Sequence, residues 1–173
     1  MTNEQLAHEL LRDQAFQLDD KGGSSAENPV FHRIRESFHQ AFWSSLADDL
    51  RLESPCYVRV LRVLREIRDG IIDLAGSRAS EKISKAIDLE FIARQAEIGV
   101  YEWADFKRLV GSVVNVIRMI QAPKRDTETQ ALWAKVGENM LAVNADRSIM
   151  LCKALEFLLD RVNILRLDSA NAR

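Results

Sequence analysis

Very little in this sequence breaks a helix. Its 173 residues hold only three prolines and seven glycines, and the alternating β-branched runs that build half-buried strands are almost absent. The expected fold class is therefore all-α, a bundle of about six to eight helices with no sheet. Cysteine is scarce too. Cys56 and Cys152 stand far apart, with no paired Cys-x-x-Cys or Cys/His spacing, so they read as buried thiols and not as a disulfide or metal pair. No apolar run approaches the ~20 residues of a membrane span. The polar start (Thr2, Asn3, Glu4, Gln5) has no apolar signal region, and Met1-Thr2 lacks the glycine that takes a myristoyl group. A cytoplasmic location is the expectation. Basic excess is missing as well: 24 Lys and Arg face 26 Asp and Glu, a net charge of −2, which argues against a nucleic-acid partner.

What is present is a sizeable apolar inventory, 47% of residues, beside 29% charged ones. These are ordinary values for a globular domain, and the length suits a single all-helical domain over residues 1–173. Within it the low-hydrophobicity stretch 19–27 is expected to be a flexible loop. The stretch from Pro55 to Leu74 reads as the central packing helix. Ser54 offers an N-cap and Pro55 suits the first helical position. Tyr57, Val60, Leu64, Ile67, Ile71 and Leu74 then recur at spacings of three and four, which stacks them in one stripe. Leu61, Val63 and Ile72 widen that stripe, while Arg59, Arg62, Glu66, Asp69 and Asp73 are expected to face water. Pairs Arg62–Glu66 and Arg65–Asp69 sit one turn apart on that charged side.

Around this helix the pattern predicts others. Asn3 to Arg12 is amphipathic, with Leu6 and Leu10 inward. Asn28-Pro29 opens a helix reaching about Leu52, with Val30, Ile34, Phe38, Phe42, Leu46 and Leu50 every fourth residue and Phe31, Ala41 and Trp43 beside them. Gly76-Ser77 is expected to end the central helix. A short helix over Ser80–Ile87 follows, then one over Leu89–Ile98 capped by Asp88 and closed by Gly99. Tyr101–Ile120 is the next long helix, stopped at Pro123. Asp126 is expected to cap a helix from Thr127 to about Val136. Residues 137–145 fit either a continuation or a loop, and Asp146 caps a last long helix.

Constellations that could carry chemistry are few. His8-Glu9 fails the zinc-binding His-Glu-x-x-His pattern because no second histidine follows. His32 and His39 lie two turns apart on one helix, about 10 Å, too far to share a metal. The acidic pairs Asp19/Asp20 and Asp48/Asp49 point about 100° apart on a helix and read as solvated charge. No phosphate-binding glycine loop, nucleophile elbow or kinase signature occurs. No cofactor is therefore expected. A basic cluster of Lys107, Arg108, Arg118, Lys124 and Arg125 could meet a phosphate or an acidic peptide, but Arg125-Asp126 after Pro123 also reads as a turn with a helix cap.

Several segments in order resemble the T-complex protein 11 family. They are Leu6-Ala7-His8-Glu9-Leu10 with Phe16-Gln17; Ala41-Phe42-Trp43 with Leu46; Ser54-Pro55 with Tyr57 and Leu64-Arg65-Glu66-Ile67; and Ile87-Asp88-Leu89 leading to Gln95-Ala96-Glu97. Ala122-Pro123-x-Arg125-Asp126 and Asp168-x-Ala170-Asn171 complete the set. The resemblance covers nearly the whole chain but matches only the N-terminal portion of a longer family domain, and the region 137–146 is longer than the family pattern. It implies a non-enzymatic helical protein tied to cyclic-AMP/protein kinase A signalling, associated in animals with sperm function. Its motif positions make Gln95, Glu97, Arg125 and Asp126 the first partner-binding candidates, with Arg62 and Glu66 on the charged stripe beside them. The competing reading is that these polar residues fix helix junctions. A chain ending soon after Leu167 is also expected to leave an apolar face of its last helix uncovered, open to a second copy or a partner. A membrane-surface adaptor and an all-α enzyme with a scattered site are the alternatives.

Overall fold

The computed structural model describes residues 29–142 and 145–172. They form helices α1 (Pro29–Leu50), α2 (Val58–Leu74), α3 (Ser77–Ala86), α4 (Leu89–Glu97), α5 (Trp103–Ile120), α6 (Asp126–Leu141) and α7 (Arg147–Asn171), with a 3-10 turn over Pro123–Arg125. Among the described residues there is no strand, and the all-α expectation holds. The helix expected over Asn3–Arg12 and the loop expected over 19–27 fall outside the described residues.

The core forms around two helices. The stripe Val60, Leu64, Ile67 and Ile71 of α2 is buried as its spacing requires, and it packs against α7, α3 and α4. The larger hub is α7, which touches α1, α2, α5 and α6. Such a helix must be apolar on most of its circumference. Ala154, Leu155, Leu158 and Val162 are fully enclosed, and Leu151, Cys152, Phe157, Leu159 and Leu165 are buried around them. None of the large apolar side chains left exposed lies on α7. The uncovered face expected on the last helix is thus absent, and the uncovered apolar side chains are elsewhere, including Val30 and Ile34 at the start of α1. Where α2 crosses α7, Gly70 is buried, and a Cβ there would lie 2.7 Å from Cγ1 of Val162. Glycine at that position lets the two backbones approach.

Helix ends show where local signals rule and where tertiary contacts overrule them. Asp88 accepts from the Phe91 N–H at 2.9 Å, and Asp146 accepts from the N–H groups of Ser148 and Ile149, so both expected caps are made. Ser54 and Pro55 are not the start of α2, which begins at Val58 with Tyr57 as an uncapped flank. The reason is tertiary. The Cys56 N–H donates to the Asp49 carbonyl, and Arg59, expected in water, donates to the Asp49 carboxylate at 2.7 Å and to Ser45. These bonds bind the connection to the end of α1 and delay the helix by three residues. Gly76 does not terminate α2 either. Its φ of −67° is ordinary, and it stands at the N-cap of α3. The terminating role of a left-handed glycine falls to Gly99, with φ of +73°. Helix α5 starts at Trp103 with a reciprocal Glu102/Asp105 capping box. Asp126 is the first residue of α6 and not its cap, because Arg118 and Gln121 take its carboxylate. Helix α6 continues to Leu141, which resolves most of the ambiguous stretch as helix.

Candidate functional site

The sequence candidates fall in three separate places: on α2, on α4 and where the 3-10 turn meets α6. Arg125 and Asp126 sit at one junction. Arg125 reaches across 43 residues to Asp168, with Nε and Nη2 each 3.0 Å from a different carboxylate oxygen. This fork-on-fork geometry is the strongest ordinary form of the pair. It joins the Ala-Pro-x-Arg-Asp turn to the Asp-x-Ala-Asn segment, so two motifs that looked independent in sequence are one contact in space. Arg118 grips Asp126 in the same two-bond manner at 2.7 and 2.9 Å. Arg161 on α7 completes the cluster. It is 5% exposed and lies against Glu128 and Asp160, but its Nε and Nη1 make no hydrogen bond. Nothing in local periodicity marks Arg161, which sits where the apolar pattern of α7 calls for a leucine.

The basic cluster expected from sequence is therefore largely neutralised. Arg118 and Arg125 are taken by Asp126, Asp168 and Glu128, and Arg108 pairs with Asp105. On α2 Arg62 is exposed and Glu66 half-buried, while Asp69 pairs with its neighbour Arg68 and not with Arg65. A further bridge, Arg51 to Asp146 at 2.8 Å, ties the end of α1 to the cap of α7.

These pairs carry a pH signature. Hydrogen bonds from Arg118, Arg51 and Arg125 hold Asp126, Asp146 and Asp168, respectively, below the usual carboxylate range. A carboxyl whose folded pKa is depressed stabilises the fold above its unfolded pKa and loses that contribution as pH falls through the folded value. Glu156 is shifted upward by burial and acts in the opposite sense. Melting temperature is expected to fall between pH 5 and pH 3. Asp168→Asn should lie below wild type at pH 7 and converge on it towards pH 3, as read by circular dichroism.

Groups suited to chemistry are otherwise occupied. Burial pushes the Cys152 thiol up to about 12, which leaves no thiolate at neutral pH. The Trp43 indole N–H donates to Nε2 of His39 at 3.3 Å, and Nδ1 of His39 faces Glu156 at 3.4 Å. Among the described residues no group of three or more His, Cys, Asp or Glu could hold a metal, and no helix is long and apolar enough to cross a membrane.

The remaining candidates, Gln95 and Glu97, lie on the last turn of α4, which packs on α2. Here the surface is hollowed. A cleft of about 760 Å³ runs between residues 53–58 and the end of α4, with Glu97 and Tyr101 in its lining. A second of about 540 Å³, on the side facing α3 and α5, has Gln95 and Tyr101. A smaller apolar cavity of about 200 Å³ lies under Tyr57, Tyr101, Trp103 and Phe106. Tyr101 lines all three, and burial pushes its phenol up to about 12, so it stays neutral. Beside the clefts, Val58, Phe91, Ile98 and Val100 stand exposed. Sequence periodicity missed this feature because composition does not tell an exposed apolar residue from a buried one; the apolar residues Ile98, Val100 and Tyr101 around Gly99, outside any helical stripe, are its one trace.

Comparison with known proteins gives a consistent result. The sequence matches the family model described as T-complex protein 11 over residues 6–173. It is 25% identical over 130 residues to the human T-complex protein 11-like X-linked protein 1, an alignment covering 73% of this chain and 25% of that protein. It is 26% identical over 119 residues to mouse T-complex protein 11 (67% and 20%) and 29% over 117 residues to the rat homolog (66% and 19%). The chain thus spans a quarter or less of the length of these relatives. No solved structure matches.

Proposed function

This chain belongs to the T-complex protein 11 family, and from that premise we propose that it is a non-enzymatic regulatory module that binds protein partners in cyclic-AMP/protein kinase A-linked signalling in the cytoplasm. The observation that carries the reading is the hollowed surface at α4. Large apolar side chains at Val58, Phe91, Ile98 and Val100 are exposed around clefts instead of being folded into the core. Exposed apolar side chains grouped about clefts are a mark of association sites. The motif residues divide accordingly. Arg125 and Asp126 hold the α5–α6–α7 junction, which leaves Gln95 and Glu97 as the family-like polar residues that line open space. Kinase A subunits or their anchoring proteins are the expected partners, as the family resemblance implies.

Affinity capture from a matched lysate tests this. The wild-type chain is expected to retain kinase A pathway components, and Val58→Asp/Ile98→Asp, both at exposed positions, to lose them while keeping its melting temperature. Retention of such components by neither protein overturns the reading, as does equal retention by both.

A further inference from the structure

We propose that the cleft between residues 53–58 and the end of α4 receives a basic amphipathic helix of a partner protein. The inference rests on the partner-binding reading above and adds the chemistry of the partner. Two charged side chains line this cleft, Glu53 and Glu97. Both are exposed, and neither is ion-paired among the described residues. No Lys or Arg lines it. Glu53 and Glu97 thus give the cleft a negative lining with no cation of its own.

The walls are Tyr57, Val58 and Leu61 on one side and the short side chains of Ala93 and Ala96 on the other. Alanines form a low floor that a second helix can approach closely. Val58, at 61% exposed, extends the apolar wall outward, and Ile98, at 67%, stands between the lining residues Glu97 and Gly99 in the chain. The volume of about 760 Å³ accommodates several side chains. Among the described residues there is no sheet edge for an extended peptide to join, and a groove between the start of α2 and the last turns of α4, with apolar walls and alanines low enough for close approach, suits the helix-in-groove mode. In that mode the partner supplies apolar anchors at i, i+3/i+4 and i+7. Lysine or arginine at the flanks lays its aliphatic stem on the apolar walls and extends its charge to Glu53 and Glu97. An acidic helix would instead meet uncompensated like charge, which disfavours the wrong partner.

The test places a photo-crosslinking benzoylphenylalanine at Val58 of the full chain, exposes it to lysate under light, and maps the attached peptide by mass spectrometry. The expected product is a segment with apolar residues at helical spacing and net positive charge. Its yield should fall about fivefold in a Glu53→Lys/Glu97→Lys background, the size expected for two exposed charge pairs. Both positions are exposed, and an unchanged melting temperature confirms that the variant is folded. An acidic or uncharged segment, or a yield indifferent to the charge reversal, overturns the proposal but leaves the groove as a partner site. No attached protein segment overturns both the proposal and the reading beneath it.

Discussion

Leu158→Ala is expected to lower the unfolding free energy by about 2–5 kcal/mol, the range for emptying a fully enclosed leucine site. Leu158 has no exposed surface and lies on α7, which touches four other helices. Two parts make up the loss. One is the transfer free energy of the removed carbons. The other is the cavity left behind, which neighbours held by several elements cannot collapse to fill. For a chain of this length each kcal/mol corresponds to about 2–4 °C in melting temperature. Ile34→Ala is the matched contrast. Ile34 is 45% exposed, and its truncation should change stability by less than about 0.5 kcal/mol. Equal losses at the two positions, measured by urea unfolding, would mean that α7 is not the centre of the core.

Gly70→Ala is expected to destabilise by about 1–3 kcal/mol, although alanine is the better helix former by about 1 kcal/mol. The added methyl would meet both Cγ1 of Val162 and Nη2 of Arg166 at 2.7 Å. The arginine tip can swing aside. Val162 cannot, because a β-branched side chain in a helix has one strongly preferred rotamer and this one is fully enclosed. Either the helices separate or the valine adopts a strained conformation. A double-mutant cycle separates this from a propensity effect: Val162→Ala should cost less in the Gly70→Ala background than in wild type. Additive losses would place the strain elsewhere.

How far sequence reaches in this protein depends on how local the determinant is. Asp88 and Asp146 cap their helices as read, since the cap is a bond over two or three residues. Ser54-Pro55 carries the same kind of signal and is overruled, because Arg59 and Cys56 bind back to Asp49 and keep the chain off the helical path. Asp126 fails as a cap for a related reason: a carboxylate gripped by a guanidinium eight residues earlier is not free to receive backbone N–H groups. The motif pieces around Arg125 and Asp168 were visible separately. Their union was not, since no periodicity links positions 43 apart. The α4 clefts were least legible of all. Val58 stands off the apolar stripe of α2, and Phe91 and Ile98 form no stripe of their own, so periodicity gives no place to them; their exposure shows only once α4 is packed on α2.

Helix α7 supplies the shared partner of α1, α2, α5 and α6, and it follows all four of them in the sequence. During synthesis at about 5–20 residues per second, the preceding hundred or so residues spend several seconds without the surface they are shaped to meet. The faces of α1, α2, α5 and α6 that meet α7 stay uncovered until Arg147–Asn171 leaves the ribosome. Helices α2, α3, α4 and α5 can pair with one another before that point, but the core closes only when α7 arrives.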